Sequence, residues 1–212
     1  MKYDPNRHHR QSVRLKNYAY SQNGAYFITL CTHERKNLFG HIDSDEMHLN
    51  SLGKIVQDEW LKSFEIRKEL AMDAYTIMPN HLHGIVFISH QDNQNNPPLK
   101  NKRGARHQSI GSFIIGFKSA VTRRIRDNDD IPQGCVWQRN YHEHIIRCEK
   151  SLKKIREYTI NNPSLWQQDS LFVQHKISCT EAGLKGRLPV SPTRGQLDFD
   201  DQRGDDCPLK TS

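Results

Sequence analysis

A run of β-forming residues interrupted by a proline constrains the fold of this chain more than any other feature of its sequence. The segments AYTIMP (74–79) and HLHGIVFI (81–88) are rich in Ile, Val, Tyr and Thr and meet at Pro79 and Asn80. Proline cannot donate a hydrogen bond within a sheet. The run therefore predicts either one long strand or two strands broken at Pro79, with the apolar composition of a buried strand.

Two histidines lie in this run with one leucine between them. His81 and His83 project to the same face of a strand, about 6.6 Å apart along it. Their apolar flanks indicate partial burial, and buried imidazoles need polar partners. Two imidazoles at this spacing can bind one metal ion, with a third ligand from elsewhere in the chain. The alternative is a pair of half-exposed histidines on a sheet surface.

The remaining periodicity predicts an α+β fold with helices on one face of an antiparallel sheet. The predicted elements, in chain order, are a strand at 25–33, a short extended stretch at 39–49, a helix that Asn50 or Ser51 can cap, the broken run of 74–88, a helix over 110–125, a strand at 136–147 and a last helix from near Lys150 to Pro163.

Composition divides the 212 residues into one domain with two appendages. Residues 1–24 form a basic arm, and residues 25–177 carry all the strong periodicity. Residues 178–212 are rich in Gly, Pro and Asp, and we expect them to be disordered. A regulatory flap is the alternative for this tail.

Charge and cysteine content point to a class of partner and a compartment. The net charge of +7 suits a polyanion, although a basic surface can also serve solubility alone. Five cysteines without a C-x-x-C pair indicate a reducing compartment. We find no apolar run of membrane-spanning length and no secretory signal, so we expect a cytoplasmic protein without a membrane partner.

The cations are concentrated in two segments that could follow a phosphate backbone, the N-terminal arm at 1–24 and residues 99–126. The segment 99–126 holds eight Lys and Arg residues and no Asp or Glu. A solvated helix face is the alternative explanation for its charge. Trp137 and Tyr141 could stack on unpaired bases or pack in the core. The residues predicted to contact DNA are Arg10, Arg14, Lys118, Arg123, Arg124, Arg126 and Arg139.

The last helix offers the missing third ligand. Tyr158 and Asn162 are four residues apart and share a helix face. An amide oxygen suits a hard cation such as Mg²⁺ or Mn²⁺, and the tyrosine would lie beside it. Taken singly, Tyr158 could pack next to Ile155, and Asn162 could simply end the helix before Pro163.

Five motifs, taken together, resemble the single-tyrosine HUH transposases. They are YFITL, YTIMPNHLHGIV, FKSAVTRRI, VWQRNYHEHIIR and IREYTINNP, in this order, within about residues 10–171. The resemblance is closest to the REP-associated tyrosine transposases and the insertion-sequence transposases that act on single-stranded DNA. It implies that His81 and His83 bind the metal, that Asn162 is the third ligand and that Tyr158 is the nucleophile.

The same resemblance implies a ferredoxin-like antiparallel sheet with helices on one face, the HUH endonuclease fold. The expected function is transposase activity on hairpin-forming DNA repeats: metal-dependent cleavage and strand transfer through a 5′-phosphotyrosine, with Mg²⁺ or Mn²⁺ and no small-molecule cofactor. The insertion-sequence branch of the family works as a dimer, in which the tyrosine helix of one subunit can serve the metal of the other, so the resemblance leaves both a monomer and a homodimer open. Such a protein would be cytoplasmic and associated with the nucleoid.

The base that accepts the tyrosine proton is not fixed by these motifs. His144 is the first candidate and His142 the second, with phosphate contact or a surface position as the alternative for both. Two other functions stay open: a domesticated repeat-binding protein that does not cut, and a metal-dependent nucleic-acid hydrolase that uses activated water. Only the transposase forms a covalent protein–DNA adduct.

Overall fold

The computed structural model describes residues 20–90, 108–127 and 135–173. Its strands are β1 (Gly24–Cys31), β2 (Gly40–Asp43), β3 (Glu46–Leu49), β4 (Leu70–Met78), β5 (His81–Ile88) and β6 (His142–Ile146). Its helices are α1 (Ser51–Ile66), α2 (Ile110–Arg126) and α3 (Glu149–Asn161), with single 3-10 turns at His33–Arg35 and Trp166–Gln168. The predicted tail, Arg10 and Arg14 lie outside the described residues.

Four strands form one antiparallel sheet in the order β4-β5-β1-β6, and β2 and β3 pair separately. The first strand of the sheet thus lies between the third and the fourth, which is the split β-α-β order of a ferredoxin-like fold. The predicted α+β class is therefore confirmed. Among the described residues, no helix is long and apolar enough to cross a membrane.

The broken run forms a hairpin. Met78 pairs with His81 across the turn of Pro79 and Asn80, and β4 continues alongside β5 as far as Leu70 and Ile88. The proline lies outside both strands, where its missing N–H breaks no ladder hydrogen bond. Of the two predicted arrangements, the structure has two strands.

The sheet is apolar on both faces, and helices cover both. On one face, α1 and α2 pack against the alternate β1 residues Tyr26, Ile28 and Leu30. On the other face, α3 packs against Ala25, Phe27 and Ile85. The expected placement of helices on one face therefore holds for α1 and α2, whereas α3 lies opposite. The central strands β1 and β5 carry apolar side chains on both faces of the sheet. Each face therefore needs a helix to bury it.

The start of α1 and its packing on β5 are set by two residues. The Asn50 side chain accepts a hydrogen bond from the Gly53 amide at 2.9 Å, so the predicted cap is confirmed. Farther along α1, the Trp60 ring lies over Gly84 of β5. A Cβ atom on Gly84 would meet that ring at 2.5 Å, so glycine is needed for α1 to approach the strand that carries the histidine pair.

The predicted strand at 136–147 is shorter in the structure, where β6 spans only His142–Ile146. Before it, Trp137 makes a single bridge to Thr32. The Lys118 ammonium group donates hydrogen bonds to the carbonyls of Gln138 and Asn140. These two carbonyls therefore bond to a side chain and not to a neighbouring strand. Trp137 is buried and packs against Phe39 and Phe117, so core packing accounts for it better than base stacking.

Candidate active site

Strand β5 presents both histidines to the face that α3 covers. His81 lies opposite Cys31 and His83 opposite Thr29 in the pairing with β1. The two rings have centroids 4.4 Å apart, and both side chains are buried. The sequence-based prediction of a same-face pair is confirmed, and the half-exposed alternative is wrong.

Asn80 fixes the protonation of the His81 ring. The Asn80 amide nitrogen donates to the carbonyls of Arg35 and Leu171 at 3.2 and 2.8 Å, so the amide oxygen is the atom that faces His81. His81 Nδ1 donates to that oxygen at 2.8 Å. The proton is therefore on Nδ1, and Nε2 keeps a lone pair for a ligand.

His83 connects the sheet to the tyrosine of α3. Its Nδ1 lies 2.9 Å from the Thr29 hydroxyl, and its Nε2 lies 3.2 Å from the Tyr158 hydroxyl. The ring also stacks on Phe27 at 5.2 Å, which limits its rotation. The nucleophile expected from the sequence thus lies in hydrogen-bond contact with the second expected metal ligand, within one chain.

Asn162 reaches the same site one helical turn after Tyr158. Its amide is buried, and its Nδ2 donates to Asp169 at 2.8 Å. Its Oδ1 is buried without a hydrogen-bond partner among the described residues, as is Nε2 of His81. Buried polar atoms are nearly always partnered, so two buried acceptor atoms without a hydrogen bond in one site fit the ligands of a cation.

Asp169 belongs to this site and was not predicted from the sequence. Its Oδ2 accepts hydrogen bonds from Tyr158 Oη at 3.2 Å and from Asn162 Nδ2 at 2.8 Å. Its Oδ1 accepts from the Leu171 amide at 2.6 Å. The 3-10 turn Trp166–Gln168 brings it back under α3. A carboxylate seven residues beyond Asn162 in irregular chain has no periodic spacing, so periodicity alone could not indicate it.

The donor atoms of this site fit a divalent cation. Ligand atoms of His81, His83 and Asp169 all lie within 4.8 Å of one another. Together with the Asn162 amide oxygen they offer two imidazole nitrogens and two kinds of oxygen ligand. Manganese accepts such a mixed set, and magnesium accepts its oxygen atoms. Asp169 supplies the one negative charge in the set.

Burial sets the protonation of the three titrating groups. It lowers the pKa of His81 to about 3, against a smaller opposing effect of the Asn162 amide. Burial, with His81 nearby, lowers the pKa of His83 well below its ordinary value. Burial also raises the pKa of Tyr158, and Asp169 raises it further. At neutral pH both histidines are therefore neutral, as metal ligands must be, and the phenol keeps its proton.

The proposed bases lie on the same face of the sheet but across β1 from the histidine pair. His144 pairs with Phe27 and His142 with Thr29. Burial lowers the pKa of His142. The Tyr158 oxygen itself has His83 and Asp169 within hydrogen-bond distance. The basic role of His144 stays a prediction, and Asp169 becomes a further candidate for it.

Four of the predicted DNA-binding residues line one groove. It has a volume of about 940 Å³ and lies between the C-terminal half of α2 and residues 135–139. Its cationic side chains are Lys118, Arg123, Arg126 and Arg139. Arg124 lies apart from them, because its guanidinium group pairs with Asp58 and Glu59 of α1 at 2.8 and 3.4 Å. Of the five predicted DNA-binding residues that the structure describes, four thus lie at one surface, and Arg124 instead joins α2 to α1.

Comparison with known proteins gives one close relative. A protein of Haemophilus influenzae strain Rd, described as uncharacterized, is 46% identical over 178 residues, which cover 81% of this chain and 98% of that protein. No protein-family profile matches the chain.

Two solved structures are similar to this chain to different degrees. A REP-associated tyrosine transposase bound to a REP hairpin superposes with a TM-score of 0.50 at 18% identity, covering 72% of this chain and 73% of that one. A candidate transposase of Deinococcus radiodurans reaches a TM-score of 0.38 at 20% identity, over 71% of this chain and 97% of that one. The first match agrees with the antiparallel sheet described above.

Proposed function

This chain belongs to the same protein family as the uncharacterized Haemophilus influenzae protein and has the fold of a REP-associated tyrosine transposase, and from this premise we propose that it cleaves and rejoins single-stranded DNA. One observation carries the proposal. The Tyr158 hydroxyl lies 3.2 Å from Nε2 of His83, beside two orphaned buried acceptor atoms. A nucleophile and a set of metal ligands thus share one site.

The proposed reaction has two balanced steps. The Tyr158 oxygen attacks a phosphorus atom, the bond from phosphorus to the 3′-oxygen breaks, and the 5′-phosphate stays on the tyrosine. Asp169, which accepts a hydrogen bond from Tyr158 Oη, is placed to take the phenol proton. The same proton then passes to the 3′-oxygen, which leaves as a hydroxyl group. In the second step a 3′-hydroxyl attacks the phosphotyrosine, the bond from phosphorus to the Tyr158 oxygen breaks, and the tyrosine leaves with the proton that the hydroxyl gives up, so joining needs no ATP.

The metal-binding part of the proposal concerns His81, His83, Asn162 and Asp169. A bound Mg²⁺ or Mn²⁺ would polarise the scissile phosphate and offset the charge that develops on it. Nδ1 of His81 donates to Asn80 Oδ1, and Nδ1 of His83 lies 2.9 Å from the Thr29 hydroxyl, so both rings are held with Nε2 directed into the site. Phe27 closes the wall beside His83 and Tyr158 and helps to exclude water.

The proposed substrate is single-stranded DNA that carries a hairpin. The cationic groove at the end of α2 offers phosphate contacts, which give affinity without sequence preference. The solved transposase with this fold is bound to a REP hairpin, which supports a folded repeat as the ligand. Because Tyr158 and His83 of one chain are in contact, catalysis does not require a tyrosine from a second subunit, even if the protein forms a dimer.

A covalent-adduct assay tests this function. Wild-type protein is incubated with a hairpin-containing single strand and Mn²⁺, and we expect a denaturant-resistant complex that peptide mapping places on Tyr158. The Tyr158→Phe variant removes one oxygen and no ring volume, so it should still fold and bind DNA but form no adduct. Cleavage without an adduct would indicate the hydrolase instead, and DNA binding without cleavage by wild type would indicate the repeat-binding protein.

A further inference from the structure

The edge strand β4 carries an irregularity on the side of the tyrosine helix. Met72 pairs with Val86 and Tyr75 with Gly84, so β4 advances three residues while β5 advances two. After the irregularity, Ala74 packs with the cluster under α3, and Tyr75 packs on the opposite face with α1 and α2. A bulge of this kind redirects side chains. Asp73, the one carboxylate on β4, lies within this bulge, and its side chain contacts Arg156 of α3.

Asp73 and Arg156 make a multiply bonded ion pair between β4 and α3. Nε of Arg156 lies 3.1 and 2.9 Å from the two carboxylate oxygens, and Nη2 lies 2.7 Å from Oδ2. The Asp73 carboxylate also accepts from the Ala74 amide at 2.8 Å, which holds it in place on the strand. A planar guanidinium bonded in this way fixes the orientation of its partner as well as the distance.

The apolar attachment of α3 to the sheet is small. Its buried side chains are Leu152, Ile155 and Thr159, and Ile160 on its outer face is 65% exposed. By contrast, α1 and α2 pack together in the large cluster around Trp60. A directed ion pair therefore contributes more to the position of α3 than it would to that of a deeply packed helix.

We propose that Asp73 and Arg156 form a clamp that sets the position of Tyr158 over the histidine pair of its own chain. The inference rests on the proposed role of Tyr158 as nucleophile. Arg156 precedes Tyr158 by two residues on α3. It is bonded to Asp73 and also pairs with Glu149 of its own helix at 3.6 Å, and Tyr158 Oη has His83 and Asp169 as its partners. Asp73 and Arg156 are positioning residues, and they act by holding the distance between Tyr158 Oη and the site.

Kinetics of adduct formation test the clamp. The variants Asp73→Asn and Arg156→Met should lower the rate of adduct formation at saturating DNA by about tenfold or more, because small misplacements of a nucleophile have large effects on rate. The KM for the hairpin oligonucleotide should stay within about twofold, since the phosphate-binding groove is unchanged. Arg156→Lys keeps the charge without the planar fork and should give an intermediate rate. The double variant should be no slower than the slower single variant, because both changes remove the same contact.

Arg124→Met is the matched control. It breaks the ion pairs of Arg124 with Asp58 and Glu59, which join α1 to α2 and not α3 to the sheet. Its adduct rate should equal that of the wild type. Unchanged rates in both clamp variants would overturn the proposal, and so would an equal loss of rate in the control, which would show general destabilisation.

Hydrogen exchange separates failure of the clamp from failure of the proposed function. If wild-type protein forms no adduct, Tyr158 is not the nucleophile, and the clamp is then judged from the amides of 152–160 alone. We expect these amides to exchange several-fold faster in Asp73→Asn than in wild type, with the amides of β5 unchanged. Equal exchange of α3 in the two proteins would overturn the clamp by itself.

Discussion

Replacement of Asn80 by alanine should weaken both metal binding and the fold. The Asn80 side chain is fully buried and makes three hydrogen bonds, to His81 Nδ1 and to the carbonyls of Arg35 and Leu171. Each such bond contributes about 1 kcal/mol net, and the buried Nδ1 of His81 would be left unsatisfied, so we expect a loss of about 2 to 4 kcal/mol in the free energy of unfolding. Loss of the ring's orienting partner should lower metal affinity about 10- to 100-fold.

Two assays and two further variants check the reasoning on Asn80. Urea denaturation measures the free energy of unfolding, and calorimetric titration measures Mn²⁺ affinity. Asn80→Asp keeps an oxygen for His81 Nδ1 but loses both donor bonds, so it should be destabilised while its Mn²⁺ affinity stays nearer to wild type. The exposed Asn37→Ala change is the control and should alter neither quantity. If Asn80→Ala binds Mn²⁺ as tightly as wild type, Asn80 does not orient a metal ligand.

Three further predictions concern the same site and the groove. Because burial holds the pKa of His81 near 3, protons compete little for its nitrogen, and calorimetry should show Mn²⁺ affinity nearly constant from pH 7.5 to 5.5. An imidazole of ordinary pKa would lose roughly tenfold over that range, so such a loss would contradict the burial argument. Asp169→Asn should reduce Mn²⁺ affinity at least about tenfold by the same titration, as it removes the one negative ligand, and an unchanged affinity would exclude Asp169 as a metal ligand. Neutralising Arg123 and Arg126 to Gln should reduce the slope of log affinity for single-stranded DNA against log salt by about one to two, whereas Arg124→Gln should leave it unchanged.

The fold class could be predicted from the sequence because the strong elements have unambiguous periods. The alternation around Phe27 and the helical spacing after Asn50 and before Arg126 give the right element types and nearly the right bounds. The position of α3 on the second face of the sheet could not be predicted in this way. β1 and β5 are buried along nearly their whole length, which is typical of strands covered on both faces, but this pattern does not show which helix covers which face.

The candidate site was predictable where its residues keep a fixed spacing on one element. His81 and His83 are two apart on a strand, and Tyr158 and Asn162 are four apart on a helix, so each pair shares a face whatever the tertiary structure. That the two pairs lie close to each other could be predicted only from the resemblance to a family of transposases. Asp169 follows a turn, where spacing carries no directional information, and it was missed for that reason. The ion pair of Arg124 with Asp58 of α1 could not be predicted either, because nothing in the cationic segment 99–126 distinguishes Arg124 from its neighbours.

The two halves of the site differ in how firmly the fold holds them. The histidine pair lies on β5, which is hydrogen-bonded to a strand on each side, and Gly84 of β5 packs against Trp60 on the opposite face of the sheet. The position of the histidine pair therefore depends on the main core. Tyr158 lies on α3, which is attached by a small apolar cluster, the Asp73–Arg156 pair and the Asn162–Asp169 contact. Changes near β5 should therefore lower stability and metal affinity together. Changes at the attachments of α3 should lower the rate of tyrosine attack while leaving the core intact, because the nucleophile can shift without unfolding the sheet.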